Sequence, residues 1–143
     1  MAEIRFGYIS DFDAKKMQAR VTFPDYDDIV SDWLPIIINN SKKTKAEHYL
    51  DVNEHVACVF LDDGIEAGAI LGAIYDDDNK PEISDENVQS VLFSDGTLIK
   101  HDRLNKICLI QDSFGSLIKL SDGNIEISAP NNIKINASRI DLN

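Results

Sequence analysis

Ile118-Lys-Leu120, Ile125-Glu-Ile127, Ile133-Lys-Ile135 and Ile140-Asp-Leu142 are four copies of one small pattern: an aliphatic pair with a charged residue between its members. Their first members stand 7, 8 and 7 residues apart. Turn formers fill the gaps, namely Ser121-Asp-Gly-Asn124, Ser128-Ala-Pro-Asn-Asn132 and Asn136-Ala-Ser138. A looser precursor, Ile107-Cys-Leu-Ile110, precedes Asp112-Ser-Phe-Gly115. Alternation with period two puts both aliphatics of a pair on one face and Lys, Glu or Asp on the other. Helix is excluded, because Gly, Pro or Asn recurs at each break. The C-terminal third therefore reads as a ribbon of very short strands with one apolar face.

Such a ribbon has nothing of its own to cover that face, and its strand edges go unpaired. Closed cyclic symmetry answers both needs: three identical ribbons around one axis bury the aliphatics and pair the edges. Stacked repeats of this kind make a stiff, quasi-one-dimensional rod. The candidate trimer core is Ile118, Leu120, Ile125, Ile127, Ile133, Ile135, Ile140 and Leu142. About six strand layers at ~4.8 Å give a rod on the order of 30 Å long. The last sheet of a monomeric β-domain would show the same alternation. A single-chain parallel β-helix needs longer turns than a seven- or eight-residue unit supplies.

The rest of the chain is also strand-like. Ile4, Phe6, Tyr8 and Ile9 open an extended run, and Gln18–Phe23 resumes it after the polar Asp13–Lys16, as in a hairpin. Pro24–Asp28 breaks the pattern and Trp33–Ile38 restarts it. Asn39–Lys45 is an exposed polar loop, and Glu47–Leu50 reads as a single helical turn. Val56–Leu61 and Ala67–Tyr75 flank Asp62-Asp-Gly64, a strong hairpin signal because glycine accepts the positive φ of the turn. Gly68 and Gly72 suggest bulges or bends. Five or so curved strands in about 80 residues fit a small barrel of the oligonucleotide/oligosaccharide-binding (OB) type. Asp76–Glu82 marks its end; the acids lack the spacing, central glycine and closing Glu of an EF-hand loop. The division is a barrel over residues 1–83, a connecting segment 84–98 and the ribbon 99–143.

Charge and composition narrow the function. The 143 residues carry a net charge of -11. Residues 1–83 hold 8 Lys and Arg against 17 Asp and Glu, a net of -9; residues 84–143 hold 6 against 8, a net of -2. Nucleic-acid affinity comes largely from cations displacing counterions, so this surface opposes it. No apolar run is long enough to span a membrane, and the first residues show no secretory signal. Cys58 and Cys108 sit in apolar runs and read as buried free thiols. His101-Asp102 reads as a surface pair, with no nucleophile motif near it, and no catalytic residue is expected. A rival reading is an OB-fold module binding carbohydrate or nucleic acid through Phe6, Tyr8, Phe23, Tyr26 and Trp33. Most of those rings are expected in the core, with Tyr26 the exception.

The order of these marks resembles the baseplate assembly protein V family, the central spikes of contractile phage tails and phage-like particles, and more distantly the spikes of type VI secretion. The marks are Gly7-Tyr-Ile9, Trp33-Leu34, Asn53–Val59, Gly64–Tyr75 and Ser94–Asp102, followed by the terminal repeat. The resemblance implies an all-β homotrimer: an N-terminal OB-fold barrel bound to the tail hub or tube, then a triple-stranded β-helix. It implies a bacterial cytoplasmic product built into a tail baseplate, with no cofactor and no catalysis, driven through the target envelope on sheath contraction. Many members end in a His-x-His apex that holds a metal. This chain ends Ala137-Ser-Arg-Ile-Asp-Leu-Asn143, and His48, His55 and His101 are not so spaced. No metal is expected at this terminus, and a separate tip protein is expected to seat on Leu142 and Asn143. The loop Asn39–Lys45 is the expected hub contact.

Overall fold

A computed structural model describes residues 1–61, 64–65 and 67–143. It is all-β, with two antiparallel sheets, a single 3-10 turn at Pro24–Tyr26 and no α-helix among the described residues. The chain divides into two compact units, Met1–Lys80 and Pro81–Asn143.

The first unit is built on β1 (Glu3–Asp13), β2 (Gln18–Phe23), β3 (Ile29–Val30), β4 (Leu34–Pro35), β5 (His55–Phe60) and β6 (Gly68–Ala73). The sheet order is β3-β2-β1-β5-β6, with β4 also paired to β2. Inward positions alternate along each strand, and Ile9, Ala19, Val21, Phe23, Leu34, Val56, Cys58, Phe60 and Ile70 make the core. Phe23 and Phe60 meet edge to face at 5.7 Å, the arrangement that ring quadrupoles favour. The stretch Leu34–Ile37 joins the two sides of the sheet. Leu34 and Pro35 pair with Ala19 and Gln18, while Ile37 donates its N–H to the Ile70 carbonyl at 2.9 Å. Gly68 is required by packing, since a Cβ there would lie 2.4 Å from the Val59 carbonyl oxygen. At Gly72 the register against β5 shifts, with Leu71 the extra residue. The bulge expected in β6 is thus found at Gly72, whereas Gly68 is a site of close approach.

The β5–β6 hairpin is present, but Asp62 and Asp63 of its Asp62-Asp-Gly64 turn lie outside the described residues. Glu47–Leu50 is not helical: the preceding loop closes on itself through Ala46 N–H to Asn40 O at 3.1 Å, and Leu50 packs on the core. Asp76 ends the unit in an ordered turn. Its carboxylate accepts the N–H groups of Asn79 and Asp78 at 2.8 and 3.0 Å, which hold its pKa below the usual range, and His55 Nδ1 stands 3.2 Å away.

The second unit is a five-stranded meander: β7 (Val88–Leu92), β8 (Leu98–Asp102), β9 (Ile107–Gln111), β10 (Leu117–Ser121) and β11 (Asn124–Ser128). Every strand has five residues and every pairing is in unbroken register. The segment 84–98 is therefore more than a connector, because it supplies β7. The ribbon also pairs its own strands, which leaves free only the outer edges of β7 and β11. Five layers at ~4.8 Å make this part about 24 Å tall, shorter than six would. Ile133, Ile135, Ile140 and Leu142 lie in no strand; residues 129–143 follow β11 without entering the sheet.

The turns explain the register. Phe93–Thr97 and Asp112–Ser116 are built alike: the Gly96 N–H reaches Phe93 O and the Gly115 N–H reaches Asp112 O, with both glycines near φ +95° (93° and 96°). This is the three-residue hairpin loop that closes on a left-handed residue. At the opposite end, Asp122-Gly123 makes a two-residue turn with φ 55° and 78°. The Asp102 Oδ1 accepts the N–H groups of Leu104 and Asn105, each at 3.0 Å, and its Oδ2 accepts Asn105 Nδ2 at 2.9 Å.

Candidate functional site

Directly opposed residues in a sheet point to the same face, so the register sorts the meander's side chains. One row across all five strands is Val91, Ile99, Ile110, Ile118 and Ile127. Beside it on the same face runs Gln89, His101, Cys108, Leu120 and Ile125. Lys100, Lys119 and Glu126 share a row on the opposite face. The first row is entirely aliphatic, yet its members remain 42% to 58% exposed. A contiguous exposed apolar patch of this kind marks an interaction surface.

Of the eight predicted core residues, the structure brings four together. Ile118 faces Ile127, and Leu120 faces Ile125, across the β10–β11 hairpin. Ile133, Ile135, Ile140 and Leu142 are exposed and lie in no strand, as does Asn143 at the terminus. Their aliphatic-charged alternation matches that of β10 and β11, but no hairpin returns them to the sheet. Val91, Ile99 and Ile110 belong to the stripe and were missed. The signal was available: Gly96-Thr-Leu-Ile-Lys100 recurs nineteen residues later as Gly115-Ser-Leu-Ile-Lys119. That repeat carries the hairpin pattern back into the segment treated as a connector.

Several side chains lie elsewhere than expected. Cys58 is buried, and burial pushes its thiol up to about 12; Cys108 is exposed, on the aliphatic face. His101 and Asp102, adjacent in sequence, point to opposite faces. Asp102 is only 9% exposed, and the N–H groups and side chain of Asn105, with the Leu104 N–H, hold its carboxyl below the usual range. The pair is a loop anchor beside an exposed imidazole. Among the five aromatic residues, Phe23 is buried, whereas Phe6 and Trp33 are exposed along with Tyr26. Tyr26 covers the Arg5 guanidinium at 4.2 Å and donates its hydroxyl to Glu3. Phe6 lies edge-on to His55, with ring centres 6.2 Å apart. Arg5 and Phe6 are strand neighbours and face opposite ways, so these rings do not form one stacking platform. Among the described residues, no three His, Cys, Asp or Glu side chains are grouped to share an ion.

An open hollow of about 570 Å³ lies on the aliphatic face, at the end where the β8–β9 and β10–β11 loops turn. His101, Cys108, Leu120 and Ile125 line it, together with Arg103 and Lys106. No protein-family model matches the sequence, and no curated protein matches it at a significant level.

Proposed function

We propose that the chain is the structural central spike of a contractile phage tail or phage-like injection particle, a homotrimer whose work is mechanical. In this reading the first unit is an OB-fold barrel attached to tail hub or tube proteins. The meander is the upper part of a triple-stranded β-helix, and residues 129–143 extend it toward a tip protein seated on Leu142 and Asn143. The assembled spike sits in the baseplate and is driven through the target envelope when the sheath contracts.

One observation carries the reading: the aliphatic row Val91–Ile99–Ile110–Ile118–Ile127 runs unbroken across five strands and keeps every member 42% to 58% exposed. Three such faces turned inward bury one another without new sequence, and strand rows of equal length favour a prism of constant width. Rigidity follows from the regular ladder and from side-chain-braced loops. The order of the sequence marks, which resembles that of baseplate spikes over nearly the whole chain, adds to this physical argument. The separation of Phe6 from Tyr26, together with the net charge of -9 over residues 1–83, disfavours the rival reading of a nucleic-acid-binding module.

Light scattering on the purified full chain at micromolar concentration tests the proposal. A mass three times the 16.0 kDa of one chain is expected. A well-folded single chain would overturn it.

A further inference from the structure

The meander has two unlike sides. On one side the β7–β8 and β9–β10 loops protrude, and the second carries Phe114, 84% exposed at its tip. On the other side lies the hollow, lined by the apolar Leu120 and Ile125 and by the basic Arg103 and Lys106. An aromatic ring thus stands in water at the tip of an ordered loop. The loop is fixed, since Asp112 Oδ1 accepts the N–H groups of both Phe114 and Ser116, at 3.0 and 2.8 Å.

We propose that Phe114 seats in the hollow of a second copy of this chain, and that three such contacts close a ring around the aliphatic faces. The inference rests on the trimeric reading above and specifies its side-to-side contact. Three features fit the loop to the hollow. The first is height: rotation about an axis along the strand-stacking direction keeps every residue at its own level. The Phe114 loop stands at the level of β9 and β10, and the hollow spans β8 to β11, so the two meet without any shift. The second is charge. The protruding side carries Asp95 and Asp112, and the hollow's lining offers Arg103 and Lys106 against a single acid, Asp122. The third is symmetry. The loop and the hollow lie on opposite sides of one chain, so a threefold rotation brings each loop to the hollow of the next copy and closes the ring.

The native Cys108 in the hollow makes the contact testable. Phe114→Cys places a thiol opposite the Cys108 of the neighbouring copy. Within one chain these positions are separated by three strand residues, Leu109 to Gln111, at ~3.4 Å each and by the first half of the loop, more than about 10 Å and beyond the ~7 Å between Cα atoms that a disulfide spans. Cys58 is fully buried and does not compete. Mild oxidation of the full-length variant, followed by non-reducing electrophoresis, is expected to give a covalently closed trimer that disappears when Cys108→Ser is added. Phe114→Ser alone is expected to weaken assembly at least tenfold, while the single chain still folds because Phe114 is exposed in it. A trimer by light scattering with no cross-link overturns the Phe114 contact and leaves the spike reading standing. A single-chain mass for the unmodified protein overturns both.

Discussion

Ile127→Asp separates an inward-facing stripe from a solvent-facing one. Ile127 lies on the edge strand β11 and is 58% exposed in the single chain. Full burial of such a side chain is worth roughly 1.5–3 kcal/mol, so the part still to be gained on assembly is about 1–2 kcal/mol per chain. Three chains together stand to lose about 3–5 kcal/mol. The larger effect is the carboxylate. Desolvating an ion inside a protein costs several kcal/mol, and three like charges beside one axis add repulsion. The sum is on the order of 10–20 kcal/mol per trimer, far more than the 1.4 kcal/mol that changes an equilibrium tenfold. In the separate chain the same substitution costs no more than ~1 kcal/mol, the span of strand preference at an open position. The expected outcome is a folded species of single-chain mass by light scattering, with unchanged strand signal in circular dichroism. Acidification that protonates the new carboxylates is expected to restore part of the trimer. Glu126→Gln, one residue away on the opposite face, is expected to leave the mass unchanged. A trimer of normal mass and stability in Ile127→Asp would refute the inward assignment.

Three further outcomes follow from the same geometry. Phe60→Ala removes the ring packed on Phe23 and is expected to lower urea stability of the first unit by about 3–5 kcal/mol. The folded Cys58 thiol keeps its proton up to about 12, whereas the unfolded chain releases it near its ordinary value of 9.0. Unfolding is therefore favoured as pH rises above that value: stability present below it should decline through the alkaline range, and Cys58→Ala should flatten the decline. The Asp102 carboxyl lies below its ordinary value in the folded chain. Its contribution is present above the unfolded pKa and is lost as pH falls through the lower folded one. Acid melts of Asp102→Ala should show reduced stability at neutral pH and a weaker loss of stability below about pH 4.

The residues that were legible are those with a strict period. Lys119 and Glu126 mark the face opposite the aliphatic pairs, and the hairpin formers between them announce the turns. That made Ile118, Leu120, Ile125 and Ile127 readable as one face. Val91, Ile99 and Ile110 were less so, because Asp85–Ser90 and Phe93–Gly96 surround β7 with polar and turn residues that resemble a linker. Cys108 was misplaced for a related reason. Membership in an apolar run does not say which of two faces a residue takes, and on a one-layer sheet both faces meet water. Glu47–Leu50 has helix-compatible residues, but Leu50 is held on the core and the chain there stays extended.

Local chemistry alone determined that this is a strand protein: alternation with period two, and Gly, Asn or Asp wherever the chain must reverse. These are properties of a residue and its near neighbours, and no distant contact is needed to impose them. Tertiary structure decided how the strands are partnered. It paired β7 to β11 within one chain, closed the first sheet through Leu34–Ile37, and left the last aliphatic pairs outside the ladder. Strand partners are chosen by loop geometry and by contacts between residues far apart in sequence, and a repeating pattern fits several registers equally well until a fold selects one.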